Sequence, residues 1–194
     1  MCYQSNLQQQ LQLKKFIDLL IKWNKVYNLT AITSFQEIQS LHIDDSLSIV
    51  AALPSQGVVV DVGTGAGLPG IPLAIARPDL EFILVDRTLK KINFIKTVVR
   101  ELGLTNVTPS HLRIENLSVP NCSCCVSRAF ASLADYCALV QHLCTVNTRI
   151  LAMKGKLTTL EKEPIPAGFK LDKIEPLKVN NLNQERHLVY LSLQ

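Results

Sequence analysis

The stretch Val58-Val59-Val60-Asp61-Val62-Gly63-Thr64-Gly65-Ala66-Gly67-Leu68-Pro69-Gly70 decides the fold. It begins with a run of valines, which predicts a buried strand, and continues into a glycine-rich turn and an apolar helix. A second apolar stretch, Phe82–Val85, ends at Asp86. A strand, a glycine turn, a helix and an acid at the next strand end are typical of a nucleotide-cofactor site in an α/β protein.

The glycine turn is compatible with two classes of cofactor. Residues 65–70 satisfy the dinucleotide pattern G-x-G-x-x-G, so a nicotinamide-dependent oxidoreductase is one alternative. Asp61 favours S-adenosylmethionine, because a carboxylate in the turn repels a pyrophosphate and attracts a sulfonium or ammonium group. We expect Asp86 to accept the two ribose hydroxyls. A turn that serves only to pack the helix tightly against the strand is the third interpretation.

Short apolar strands alternate with longer helical segments from residue 58 onward, which indicates a mostly parallel sheet. The pattern predicts strands near 58–62, 81–86, 105–109, 122–127 and 148–153, and helices near 68–77, 88–102, 131–145 and 157–162. Two further extended segments, about 169–178 and 186–193, predict a closing hairpin at one sheet edge, with its turn near 180–183.

Residues 1–54 are predicted to form a helical extension ahead of a main domain at 55–194. Helices are expected near 7–25 and 35–52. One face of the first helix carries four lysines: Lys14, Lys15, Lys22 and Lys25. This basic face either docks on RNA phosphates or is an ordinary solvated helix surface.

Composition sets broad limits on function. The chain has 194 residues, 47% of them hydrophobic, a formal net charge of +4 and a pI near 8.7. No apolar run is long enough for a membrane span, and the first residues lack a signal-peptide pattern, so we expect a soluble cytoplasmic protein. The six cysteines lack the paired C-x-x-C spacing of a zinc site, and no metal constellation is predicted.

Residues after the third, fourth and fifth strands are candidates for ligand contacts, because ligands of open α/β sheets bind at the carboxyl ends of strands. Arg128 could hold the carboxylate of a methyl donor or an RNA phosphate, with a surface arginine as the plain alternative. Glu115 lies where the adenine end of the cofactor would reach, or else is a solvated helix cap. Ile114 could pack on the adenine ring, and Lys154 is a weaker candidate than Arg128.

The target of methyl transfer is constrained by what the sequence lacks. No Asn/Asp-Pro-Pro-aromatic loop, typical of amine methylation, follows the fourth strand. Cys124 and Cys125 keep open a cysteine nucleophile for carbon-5 methylation of cytosine, although packing within the strand is the favoured interpretation. A ring nitrogen such as guanine N7 has no proton to lose and needs orientation more than a base.

Several segments together resemble the bacterial small-subunit ribosomal RNA guanine-N7 methyltransferases, also called the glucose-inhibited division protein B family. The resemblance covers most of the chain. It is carried by Trp23-Asn24-Lys25-Val26-Tyr27-Asn28-Leu29-Thr30, His42-Ile43-Asp44-Asp45-Ser46-Leu47, the turn at 61–74, Val85-Asp86, Glu101-Leu102-Gly103-Leu104 and Ser127-Arg128-Ala129-Phe130-Ala131. It implies a Rossmann-like class I methyltransferase with a seven-stranded, mostly parallel sheet and a helical N-terminal extension.

The resemblance also implies an activity and a set of site residues. The activity is methyl transfer from S-adenosylmethionine to N7 of a guanine in small-subunit ribosomal RNA, present as naked RNA or in the small ribosomal subunit. Apart from the resemblance, we expect a monomer that has no metal or membrane partner. The implied donor-binding residues are Gly63, Leu68, Asp86, Ile114, Glu115 and Arg128. This chain has Cys122-Ser123 where the family usually has Phe-Asp. Any role of that Asp in orienting substrate or donor therefore does not carry over to this chain. A non-catalytic RNA-binding ribosome-assembly factor is the remaining alternative.

Overall fold

The fold is that of a computed structural model, which describes residues 3–128, 130, 132–156, 164–179, 182 and 184–194. The helix predicted near 157–162 lies outside these residues, as does most of the turn predicted near 180–183.

One seven-stranded sheet forms the centre of the molecule. Its strands are β1 (Val58–Val62), β2 (Glu81–Asp86), β3 (Val107–His111), β4 (Cys122–Ser127), β5 (Arg149–Lys154), β6 (Phe169–Pro176) and β7 (His187–Leu193). The spatial order is β3-β2-β1-β4-β5-β7-β6. The first five strands are mutually parallel, whereas β7 is antiparallel to both β5 and β6. The predicted mostly parallel sheet and closing hairpin are therefore confirmed.

The third strand begins two residues later than predicted because Asn106 anchors the loop before it. The Asn106 amide nitrogen lies 3.0–3.2 Å from the carbonyl oxygens of Ala74, Arg77 and Leu80. The backbone carbonyl of Asn106 accepts a hydrogen bond from the Phe82 N–H at 2.8 Å. A side chain that satisfies the end of one helix and the following turn fixes where β3 can start.

Six α-helices surround this sheet in the described residues. They are α1 (Leu7–Tyr27), α2 (Phe35–Ile38), α3 (Asp45–Leu47), α4 (Gly70–Ala76), α5 (Leu89–Leu102) and α6 (Leu133–Val140). The helix predicted over 35–52 is interrupted: a π-helical segment, Gln39–Asp44, joins α2 to α3, and a 3-10 turn follows at Val50–Ala52. The helix predicted over 131–145 ends earlier, in a 3-10 turn at Gln141–Leu143.

The first helix packs into the main core through its apolar face. Phe16 and Trp23 lie against Phe94 of α5, with ring centroids 6.3 and 5.6 Å apart. Phe16 is fully buried, in the same cluster as Val59 of β1 and the apolar residues of α4 and α5. The opposite face of the sheet packs mainly against α6. The N-terminal helices thus share the core of the sheet, and the division of the chain at residue 54 stays a prediction.

The predicted basic face of α1 is exposed, as its lysines Lys14, Lys15, Lys22 and Lys25 show. Lys15 pairs with Glu101 of α5 at 3.4 Å. This pairing reduces the charge that the face offers to a partner, and a role in RNA docking stays a prediction.

Replacing Gly70 by Ala should destabilise the fold by about 1–3 kcal/mol, because overpacking a filled core forces its neighbours to shift. A Cβ at this position would lie 2.6 Å from Asp61 Oδ2 and 2.8 Å from Leu84 Cγ. Gly155→Ala is the matched control, since no described residue comes within 4 Å of a Cβ placed there. Urea unfolding of both variants measures the difference. Equal free energies of unfolding would contradict the tight contact.

Candidate functional site

The turn after β1 is held in a shape that side chains other than glycine rarely adopt. Gly63, Gly65 and Gly67 have φ values of +69°, +59° and +82°. In this left-handed region glycine is favoured because it has no Cβ. The Thr64 N–H donates to the Val85 carbonyl at 3.0 Å, which ties the turn to the end of β2.

Asp61 organises this turn from within the core. Its Oδ2 accepts a hydrogen bond from the Thr64 hydroxyl at 2.6 Å and from the Gly70 N–H at 2.8 Å. The second bond sets the start of α4 at Gly70, two residues later than predicted. Within the described part of the chain, Asp61 Oδ1 has no hydrogen-bond partner. Burial raises the pKa of Asp61 to about 6, although the bonds from Thr64 and Gly70 oppose the shift.

The expectation that Asp61 faces the cofactor is not supported by its position. Its side chain is fully buried and, among the described residues, is not part of the cavity wall beside the turn. Asp61 therefore shapes the turn rather than presenting a carboxylate to a ligand.

A cavity of about 450 Å³ lies at the carboxyl ends of β1 and β2. Four of the six predicted cofactor residues line it together: Gly63, Asp86, Ile114 and Glu115. The elements that present them are the turn after β1, the end of β2 and the 3-10 turn Ile114–Asn116. The predicted meeting of distant strand ends is therefore present in the structure. Their contact with a cofactor stays a prediction.

Asp86 is one of two described acidic residues that line this cavity, the other being Glu115. Its Oδ2 accepts the Gly65 N–H at 3.1 Å, and its Oδ1 accepts the Thr88 N–H at 2.8 Å. The Lys91 ammonium lies 3.5 Å from Oδ2. A carboxylate offers about four lone-pair sites, so each oxygen retains capacity for a ligand hydroxyl.

The remaining two predicted residues lie elsewhere. Leu68 is buried in the core, and its N–H donates to the Thr64 carbonyl within the turn. Arg128 lines a neighbouring cavity and forms an ion pair with Asp45 at 3.3 Å. The geometry gives Leu68 a supporting position behind the turn and directs Arg128 toward the N-terminal helices. Direct contacts of either residue with a cofactor stay predictions.

Sequence reasoning missed other residues of the cavity wall. Thr88 and Lys91 belong to it, as does Phe130, which follows β4. Thr88 and Phe130 could have been predicted from the sequence, because each follows a strand by no more than three residues at the edge where ligands bind. The cavity combines the apolar side chains of Ile114 and Phe130 with the carboxylates of Asp86 and Glu115, a mixture that suits a ligand with a flat ring and a hydroxylated sugar.

The cysteines of β4 are core residues. Cys124 and Cys125 are fully buried, on opposite faces of the sheet. Burial raises the pKa of the Cys124 thiol well above its usual range. Because the strand bulges between Cys122 and Cys124, the Cys122 and Cys125 sulfurs face the same side and lie 3.7 Å apart. This packing argues against a cysteine nucleophile, since a reactive thiolate needs access to its target.

Two kinds of feature are absent from the described residues. No group of three His, Cys, Asp or Glu side chains there could hold a metal ion. The helices of the same part of the chain include none of the length and apolarity needed to cross a membrane.

Comparison with known proteins identifies the family. A family model described as "rRNA small subunit methyltransferase G" matches residues 9–189. The chain belongs to this family. It is 46% identical over 185 residues to "Ribosomal RNA small subunit methyltransferase G" of Actinobacillus pleuropneumoniae, covering 95% of this chain and 90% of the relative. It is 45% identical to the protein of the same name from Nitrosococcus oceani, covering 91% and 82% respectively.

Solved structures share the fold at low sequence identity. A "SAM dependent methyltransferase from Aquifex aeolicus" superposes with a TM-score of 0.60 at 15% identity, covering 81% of this chain and 93% of that one. "M. jannaschii TYW2 in complex with AdoMet" has a TM-score of 0.57 at 13% identity, covering 79% and 76%. The expected Rossmann-like class I fold is therefore confirmed.

The buried charge of Asp61 should make stability depend on pH. A carboxyl whose pKa is raised from 3.8 to about 6 on folding loses stabilisation as pH rises through that window. Asp61→Asn removes this titration. The free energy of unfolding of the variant minus that of the natural protein should therefore rise by about 3 kcal/mol from pH 3.5 to pH 7.5. Urea unfolding at both pH values measures the change. A pH-independent difference would contradict the burial of a titrating carboxyl.

Proposed function

We propose that this protein transfers a methyl group from S-adenosylmethionine to N7 of a guanine in small-subunit ribosomal RNA. The observation that carries the proposal is the match of 95% of the chain to a relative named ribosomal RNA small subunit methyltransferase G. The cavity at the carboxyl ends of β1 and β2 supports it, since the fold places ligands at that edge.

The residues of the cavity suit the methyl donor. S-adenosylmethionine, when bound, supplies the methyl group on a positively charged sulfur. Asp86 is proposed to accept the ribose hydroxyls, and Glu115 to accept the adenine amine above the apolar side chain of Ile114. Gly63 lets the backbone pass close to the ligand, and Leu68 supports the turn from the core.

The proposed target explains why the site needs no obvious base. Guanine N7 carries a lone pair and no proton, so the residues around the cavity have to orient the ring and exclude water. Arg128 is the proposed orienting residue, because it lies directly after β4 at the ligand edge. We further propose that the protein acts as a monomer in the cytoplasm and needs no metal. Its substrate is proposed to be either naked small-subunit ribosomal RNA or the assembled small ribosomal subunit.

The decisive experiment incubates the purified protein with small ribosomal subunits, or their isolated RNA, and a donor labelled on its methyl group. Label at N7 of a single guanine is the expected result. Absence of label with retained donor binding would favour a non-catalytic ribosome-assembly factor. Binding of NADH without a calorimetric response to S-adenosylhomocysteine would favour an oxidoreductase. Either result would overturn the proposal.

Replacing Asp86 by Ala should weaken S-adenosylhomocysteine binding about 10- to 100-fold, because the ribose loses a charged acceptor. Isothermal titration calorimetry measures the affinity. The matched control is Asp79→Ala, which removes an exposed carboxylate paired with Arg77 and should leave the affinity unchanged. Thermal unfolding separates lost binding from lost folding. Equal affinities of folded Asp86→Ala and the natural protein would place the ribose elsewhere.

A further inference from the structure

A second cavity of about 420 Å³ lies at the same edge of the sheet, at the carboxyl ends of β4 and β5. Arg128, directly after β4, lines the second cavity, whereas Phe130 lines the first. Lys154 and Gly155, at the end of β5, also line the second cavity, as does Arg186, which precedes β7. Ligands of the two cavities would therefore lie at the same edge of the sheet.

The N-terminal extension supplies further residues of the cavity wall. Leu41 and His42 belong to the π-helical segment, and Asp45 opens α3. Departures from regular helix geometry of this kind are frequent at functional sites. Because His42 and Asp45 are three residues apart, they lie on the same face of the interrupted helix. The interrupted helix over 35–52 thus delivers polar groups to the ligand edge.

The charges around the second cavity are unbalanced. Its described lining contains two guanidinium groups, those of Arg128 and Arg186, but only one carboxylate, that of Asp45. Asp45 is 1% exposed and is shared by both arginines: its Oδ2 lies 3.3 Å from Arg128 Nη1 and its Oδ1 lies 3.3 Å from Arg186 Nε. One carboxylate cannot neutralise two guanidinium groups, so these three described side chains together carry an excess of positive charge.

Arg128 is held in a fixed orientation. Its Nη1 donates to the Leu41 carbonyl at 3.1 Å, and its Nη2 lies 3.3 Å from His42 Nδ1, which is itself 3.0 Å from the Leu41 carbonyl. Burial and the charge of Arg128 lower the pKa of His42 to about 4, so the imidazole is neutral at pH 7 and adds no charge to the cavity. His42 Nε2 contacts the Thr30 hydroxyl at 2.9 Å. These contacts preorganise the guanidinium before any ligand arrives.

We propose that the second cavity binds a backbone phosphate of the RNA strand beside the target guanine, with Arg128 and Arg186 as its contacts and Asp45 as their positioning residue. The inference rests on the proposed function. Guanidinium groups match phosphate in a bidentate manner, and phosphate contacts fix the register of a nucleic acid on a protein. Both arginine side chains keep about a fifth of their surface exposed, 23% and 21%, so donors remain within reach of a ligand.

The first test measures how binding of purified small ribosomal subunits depends on salt. Each phosphate contact contributes about 0.7–0.9 to the slope of log affinity against log salt. Arg186→Gln should lower the slope by that amount and weaken binding about tenfold or more at low salt. Arg100→Gln is the matched control, since Arg100 lies on α5 with 77% of its side chain exposed. The control should keep the slope of the natural protein.

Three outcomes of this test have distinct meanings. A reduced slope in Arg186→Gln, with S-adenosylhomocysteine affinity unchanged, supports the phosphate site. An unchanged slope overturns it, and so does a loss of S-adenosylhomocysteine affinity as large as the loss of subunit binding, because the cavity would then serve the cofactor. Failure of the natural protein to methylate subunits would overturn the proposed function alone, since the slope is read from binding without turnover.

The second test addresses Asp45 as a positioning residue. Asp45→Asn removes the shared carboxylate but keeps the shape of the side chain, so subunit binding should be retained or strengthened while the arginines lose their orientation. We expect kcat to fall at least tenfold with KM for subunits unchanged or lower. The positioning role would be overturned if KM for subunits rose together with the fall in kcat. It would also be overturned if the Asp45→Asn variant kept both the kcat and the unfolding midpoint of the natural protein.

Discussion

The hydrogen bonds from Thr64 and Gly70 to the buried Asp61 carboxylate are the interaction on which the ligand edge depends. They join the end of β1 to the start of α4 and fix the path of the glycine turn between them. Gly70 has no room for a side chain because the same carboxylate occupies that space. The glycine turn then places the Gly65 N–H within hydrogen-bond distance of Asp86 on the neighbouring strand. A single desolvated carboxyl thus connects the core to the cavity wall.

Much of this arrangement follows from the sequence. The valine run, the glycine turn and the strand-end Asp86 predict the sheet centre, because apolar strands and glycine turns have few alternative structures. The family and the fold are predicted from the same segments and confirmed. The prediction for Asp61 had the wrong physical basis: its charge was expected to face the ligand, whereas the residue is buried behind the turn. Sequence position does not reveal which way a strand-end side chain points.

The remaining differences come from tertiary contacts that no local pattern encodes. The start of β3 depends on Asn106 bonding to carbonyls more than 25 residues earlier. The π-helical interruption near His42 coincides with contacts to Arg128, which is 86 residues away in the chain. Arg128 was predicted at the ligand edge from its place after β4, and it is there. Its partners on the N-terminal extension could not be found from spacing alone.

The order of strands has a consequence for how the chain acquires its structure during synthesis. β7 lies between β5 and β6, although it follows both in the chain. Until β7 emerges, β5 has one unpaired side and β6 has no neighbour at all. Exposed strand edges of this kind invite pairing with other chains. A nascent protein halted before residue 187 would therefore be a substrate for chaperones and proteases, even though the residues of the first cavity are already synthesised.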